Sequence, residues 1–175
     1  MAEHHFDALY KAGLSFAVEN MESESGFVPF AISIDDAGEQ RVIVPGPDPS
    51  IGNTLEQVDL LERLLRQRVG EGNVRACVLV TDAVYRDPET GDAIDILAMD
   101  MDDAVGGPGR LVFPYRMENG KVGVGKPGMA EIRVRFFGEG AAEPGATRSG
   151  SEAGEAGKPS GSLLGRLFGR GKKGS

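Results

Sequence analysis

Residues 74–85 read Val-Arg-Ala-Cys-Val-Leu-Val-Thr-Asp-Ala-Val-Tyr, and this stretch decides the fold. Val74, Cys77, Val78, Leu79, Val80, Val84 and Tyr85 crowd into it, and its middle is apolar at consecutive positions. A half-exposed strand alternates apolar with polar; a strand apolar at every step is covered on both faces. Asp82 interrupts the run. A buried carboxylate needs a partner or a raised pKa, and the simpler expectation is that the strand reaches the sheet rim there.

Upstream, residues 3–24 carry Phe6, Tyr10, Leu14, Ala17, Val18 and Met21 at three- and four-residue steps, with Leu9 beside them, which predicts an amphipathic helix. Gly13 weakens it by about 1 kcal/mol relative to Ala and marks a candidate close-packing point. Residues 27–35 alternate, with Val28, Phe30, Ile32 and Ile34 on one face. Pro29 lacks an N–H donor, so this strand is expected to lie on an edge or to begin there. Asp35-Asp36-Ala37-Gly38 has turn chemistry, and residues 41–44 return as a hairpin partner. Pro45, Pro47 and Pro49 stop it. Residues 54–69 form the clearest helix. Its buried stripe is Leu55, Val58, Leu61, Leu64, Leu65 and Val69. Glu56, Glu62, Arg63, Arg66 and Arg68 suit the wet side, and Thr54 with Gln57 matches a capping box.

Downstream, residues 93–101, 110–116 and 121–124 read as strands separated by turns at 87–92, 106–109 and 118–120, the last an Asn-Gly hairpin signal. Residues 132–137 alternate Ile132, Val134 and Phe136 with Arg133 and Arg135 and predict a final strand. The expected architecture is α+β: two helices packed on an antiparallel sheet of five to seven strands, then a disordered C-terminal tail. The order of elements across residues 5–137 resembles the roadblock/longin and profilin-like folds. Phe27-Val28-Pro29-Phe30-Ala31, Asp92-Ala93-Ile94 and Phe113-Pro114-Tyr115-Arg116 are similar to phrases in small uncharacterised bacterial proteins. That resemblance implies no activity.

Composition divides the chain into three: a globular domain over residues 1–138, a Gly/Ala/Glu/Ser linker over 139–161, and a short basic-apolar peptide over 162–175. The linker lacks the apolar side chains needed to offset the entropy of ordering. Residues 1–138 hold 23 acidic and 13 basic side chains, a net of −10; residues 139–175 hold 4 and 6, a net of +2. An acidic body repels phosphate, which argues against nucleic acid as a partner. Cys77 is the single cysteine, so no intrachain disulfide forms. No basic n-region precedes an apolar run at the N-terminus, and no apolar run reaches membrane-spanning length. A cytoplasmic protein is the expectation.

Candidate chemistry is sparse. From Gly120, the run Gly-Lys-Val-Gly-Val-Gly-Lys-Pro nearly matches a phosphate-binding P-loop, but Pro127 stands where a hydroxyl should meet Mg²⁺. Gly123, Gly125 and Gly128 match Gly-x-Gly-x-x-Gly, which needs a following helix to direct its positive dipole end at a pyrophosphate. A glycine-rich hairpin is favoured. Asp100, Asp102 and Asp103 offer carboxylates to a hard cation. As a Ca²⁺ loop the run fails: Val105 replaces the required Gly and Leu111 the closing Glu. A solvated strand end is the favoured reading, and no metal site is expected. His4 and His5 point about 100° apart on a helix and cannot share a ligand. A nucleophile pair would have to borrow these frayed residues, so neither enzyme activity nor a cofactor is expected.

The tail carries the sharper signal. In residues 162–173, Leu163, Leu164, Leu167 and Phe168 fall on one side of two helical turns, and Arg166 and Arg170 on the other. Such a peptide suits a partner's hydrophobic groove or an anionic membrane surface; the bland alternative is a solvated end. Gly161-Ser162-Leu163 with Leu164, Leu167 and Phe168 resembles an encapsulin cargo-loading peptide. These observations lead to the expectation of a non-catalytic protein-interaction or regulatory module with a tethered docking peptide. The alternatives are a small-ligand or nucleotide-binding protein using the loop from Gly120 to Gly128, and weak membrane association through the tail.

Overall fold

The computed structural model describes residues 5–46 and 53–138. The tail residues Leu163, Leu164, Arg166, Leu167, Phe168 and Arg170, His4 and the prolines at 47 and 49 lie outside them. Elements follow in the order α1 (Phe6–Glu22), β1 (Phe30–Ile34), β2 (Gln40–Ile43), α2 (Thr54–Gly70), β3 (Ala76–Arg86), β4 (Ala93–Asp103), β5 (Gly107–Glu118), β6 (Lys121–Val124) and β7 (Gly128–Met129). The seven strands form one antiparallel sheet in the order β2-β1-β3-β4-β5-β6, with β7 also pairing β5.

Two apolar clusters sandwich this sheet. On one face Phe30, Ile32 and Ile34 of β1, Val78 and Val80 of β3, Leu97, Met99 and Met101 of β4 and Phe113 of β5 meet Leu9, Ala17 and Met21 of α1. On the other, Ala31, Cys77 and Leu79 meet Leu61 and Leu65 of α2 together with Val74, Val134 and Phe136. Neighbouring residues of β1 and β3 thus serve opposite cores, as the doubly apolar run at 76–80 requires. The stripe α1 buries is Leu9, Gly13, Ala17 and Met21; Phe6, Tyr10 and Leu14 flank it. Gly13 is a close-packing point, because a Cβ there would collide with the Met99 methyl and touch Val80 and Val78. At its last turn, Glu22 accepts hydrogen bonds from Lys121 Nζ and from Val122 N–H, tying α1 to β6.

Several expectations are corrected. α2 is capped by Asn53, not Thr54: Asn53 Oδ1 accepts the Glu56 N–H at 2.9 Å, satisfying a free donor of the first turn. Leu55 is exposed, lying before α2 reaches the sheet. Arg66 is not on the wet side. Its guanidinium sits 5.3 Å above the Phe136 ring and donates to the Arg135 carbonyl, beside Glu62. Residues 132–137 are not a strand. They form an extended strap whose Val134 and Phe136 are buried under α2. No helix among the described residues is long and apolar enough to cross a membrane.

Candidate functional site

A groove of about 720 Å³ lies between the β1–β2 hairpin and the C-terminal half of α2. Local sequence builds each wall. Asp35 Oδ1 accepts the N–H groups of Ala37 and Glu39, both at 2.9 Å, and Gly38 takes φ +79°, which closes the hairpin turn. Across from it, α2 contributes Leu64, Gln67 and Arg68, and the chain leaving α2 contributes Glu71, Asn73 and Val74. Ser33 also lines the groove. Four carboxylates (Asp35, Asp36, Glu39 and Glu71) face two cations, Arg41 and Arg68. Glu39 reaches Arg41 at 3.6 Å, and Asp36 reaches Arg75 Nε at 3.4 Å. Both pairs are exposed, and such pairs contribute ~0–1 kcal/mol.

Strand β2 borders the groove and is one of the two outer strands of the sheet, with β6 at the other edge; it is paired only with β1 among the described residues. Its two faces differ. Arg41 lines the groove and Ile43 packs against the α2 cluster. Val42, opposite Ile32, lies on the α1 side and is 48% exposed; Val44 beyond it is 53% exposed. An outer strand presents one row of N–H and C=O groups with no ladder partner. Here that row runs between a polar groove and an apolar ledge.

Asp100, Asp102 and Asp103 of β4 are buried, contrary to the solvated strand end expected of them. Asp100 meets Arg110 Nη1 through both oxygens, at 2.9 and 3.1 Å. Burial pushes the Asp100 carboxyl up against the pull of that guanidinium. Asp102 Oδ2 accepts the N–H groups of Phe136 at 2.6 Å and Phe137 at 3.0 Å, while its Oδ1 is buried without a hydrogen-bond partner. Asp103 Oδ1 accepts from Val105 and Gly106; its Oδ2 accepts from His5 N–H and lies 3.1 Å from His5 Nδ1. Burial alone would raise Asp103, but the N–H groups of Gly106, Val105 and His5 and the His5 ring hold it at about 2. His5, expected to fray, is thereby anchored. Asp102 and Asp103 act as acceptors that tie the 132–137 strap and the start of α1 to the sheet, whereas Asp100 pairs within the sheet with Arg110 of β5. Among the described residues no group of three or more His, Cys, Asp or Glu side chains is arranged to hold a metal ion.

The remaining sequence candidates resolve individually. Asn119 at φ 52° and Gly120 at φ 73° make the hairpin turn between β5 and β6, and β6 leads through 125–127 into β7 rather than a helix. The strand-into-helix geometry of a phosphate cradle is absent. Gly125 is glycine for packing: a Cβ would stand 2.7 Å from Pro114 Cγ, and its N–H donates to the Pro114 carbonyl at 2.7 Å. Asp82 is part-buried where β3 leaves the cores; burial, and then the Asp95 carboxylate, raise its pKa against an opposing local backbone hydrogen bond. Cys77 is fully buried, and burial followed by the Asp102 charge pushes its thiol well above the ordinary range, so it stays protonated and unreactive at neutral pH. The groove escaped sequence reading because one wall comes from residues 33–41 and the other from 64–74; the acids of 35–39 opposite Arg68 and Glu71 were its only trace. Comparison with protein-family models, curated proteins and solved structures finds no match to this chain.

Proposed function

We propose that this chain is a non-catalytic protein-interaction module, acting in the cytoplasm, that takes an extended segment of a protein partner along β2, with residues 162–173 as a second and weaker contact. One observation carries the reading: β2 has no second ladder partner among the described residues, and its two sides are already shaped, by the groove on one and by Val42 and Val44 on the other. A strand added to β2 gains main-chain hydrogen bonds, and its alternate side chains fall into the groove and onto the valine ledge. Lysines on an outer strand obstruct such pairing. The test is selection of extended peptides from a random display library on the full-length protein, repeated with Val42→Lys plus Val44→Lys. The expected winners alternate apolar residues and bind at least roughly tenfold more weakly to the double variant, whose exposed substitutions leave stability within about 0.5 kcal/mol. Peptides that bind both proteins equally would remove β2 from the function.

A further inference from the structure

The strap and the groove share one face of the sheet, and the strap is the last segment of the described residues. Arg41 pairs with Ser33, Ser33 with Cys77, and Cys77 with Asp102, so one row of residues crosses four adjacent strands. The groove's Arg41 and Ser33 stand at one end of that row. Asp102, which holds the N–H groups of Phe136 and Phe137, stands at the other. Three interstrand steps of about 4.8 Å separate them, roughly 14 Å in all. A Gly/Ser-rich coil of 23 residues, the length of 139–161, has a root-mean-square span of about 25 Å. Residues 162–173 therefore reach the groove without strain, at an effective concentration on the order of millimolar.

Charge and shape favour the same occupant. The groove carries four acids against two bases; the peptide carries Arg166, Arg170, Lys172 and Lys173 and no acid. Leu64 and Val74 supply apolar wall for Leu163, Leu164, Leu167 or Phe168. We infer that the C-terminal peptide 162–173 occupies the groove between β1–β2 and α2 of its own chain, and so competes with the partner segment for β2. This rests on the reading of the groove as a docking site and adds an autoinhibitory contact to it.

The experiment uses the full chain with Ser162→Cys carrying a nitroxide; Cys77 is buried and does not take the label. Amide resonances of Ala37, Gln67, Arg68 and Glu71 are expected to broaden far more than those of the β3–β4 turn at 87–92. Raising salt to about 1 M, where the screening length falls to ~3 Å, should reduce that broadening several-fold. Glu39→Lys with Glu71→Lys, both exposed, should abolish it, and adding Arg166→Glu with Arg170→Glu should restore it. The inference is overturned by broadening that is uniform, that centres elsewhere, or that persists undiminished in Glu39→Lys with Glu71→Lys. It is also overturned if unlabelled-isotope, nitroxide-bearing chains mixed with ¹⁵N chains give the same effect, which would place the peptide on a second copy. The library selection on β2 reads the docking site independently. Selected peptides without nitroxide broadening would leave the site standing and remove the self-contact alone.

Discussion

Asp102 and Asp103 are neighbours on β4, point to opposite faces of the sheet, and finish those faces differently. Asp103 closes the α1 face. It holds the first residue of the described chain and the β4–β5 turn, and both its oxygens are occupied. The core beneath it is one large apolar cluster spanning four strands. Asp102 closes the α2 face with one oxygen and leaves the other buried without a partner. The core there is smaller, is shared with a strap that has no strand ladder, and opens into the groove. The first face is a finished hydrophobic layer. The second spends its surface on polar anchoring, and the groove of the candidate interaction site lies on it, with the Val42 ledge on the opposite face.

The strongest way to break this contrast is to remove a keystone from each side. Leu9→Ala, at a fully buried position of α1, should destabilise the protein by about 3 kcal/mol, within the 2–5 kcal/mol of such core truncations. Urea denaturation measures it, and hydrogen exchange should rise across the whole domain. Asp102→Ala should cost about 2–3 kcal/mol, because it leaves the Phe136 and Phe137 N–H groups without acceptors in a buried setting. Its exchange signature differs: the amides of 134–137 should open first, with β1 and β3 protected. Equal protection of the strap in both variants would mean that Val134 and Phe136 alone hold it, and that the carboxylate is incidental.

These two faces also differ in how far they could be read in advance. The α1 face was legible in outline because its elements are periodic, with three- and four-residue steps in α1 and alternation in β1, but the stripe that is buried runs Leu9, Gly13, Ala17, Met21 rather than through Phe6, Tyr10, Leu14 and Val18. The doubly apolar run at 76–80 announced a layer on each side of the sheet. The α2 face was less legible. Alternation at 132–137 predicted a strand, yet Phe136 and Phe137 give their N–H groups to a carboxylate 34 and 35 residues earlier. Local pattern reports which side chains are buried, not which acceptor their backbone finds. Asp100, Asp102 and Asp103 looked like a wet strand end for the same reason: the strap and the first turn of α1, which bury them, are remote in sequence.

Acid separates the faces with a smaller effect. Asp103 titrates at about 2 in the folded protein, below the ordinary aspartate value of 3.8. A depressed carboxyl contributes stability that is present above the unfolded value and is lost as pH falls through the folded one. About 2 kcal/mol should therefore disappear between roughly pH 4 and pH 2. Asp103→Asn should be less stable at neutral pH and show a flatter acid limb in urea titrations at successive pH values. Asp100 shifts the opposite way, raised chiefly by burial, so acid relieves it. An acid limb left unchanged in Asp103→Asn would assign acid sensitivity to other carboxyls and dissolve the closure ascribed to Asp103.

The smallest expected effect concerns how each helix is started. α1 has no side-chain cap: the ring of its N-cap residue, His5, turns to Asp103, and the helix is held by the core it covers. α2 buries only Leu61 and Leu65 completely, and Asn53 accepts from Glu56 N–H at its start. With less burial behind it, α2 depends more on that cap. Asn53→Ala should cost about 1 kcal/mol, whereas Thr54→Ala, at an exposed first-turn position, should stay within about 0.5 kcal/mol. The loss should appear as faster exchange at the start of α2, with α1 unaffected, since the two helices touch different faces of the sheet. Equal losses at 53 and 54 would restore the capping box on Thr54 that the sequence suggested. A loss that spread to α1 would show that the two faces do not open independently.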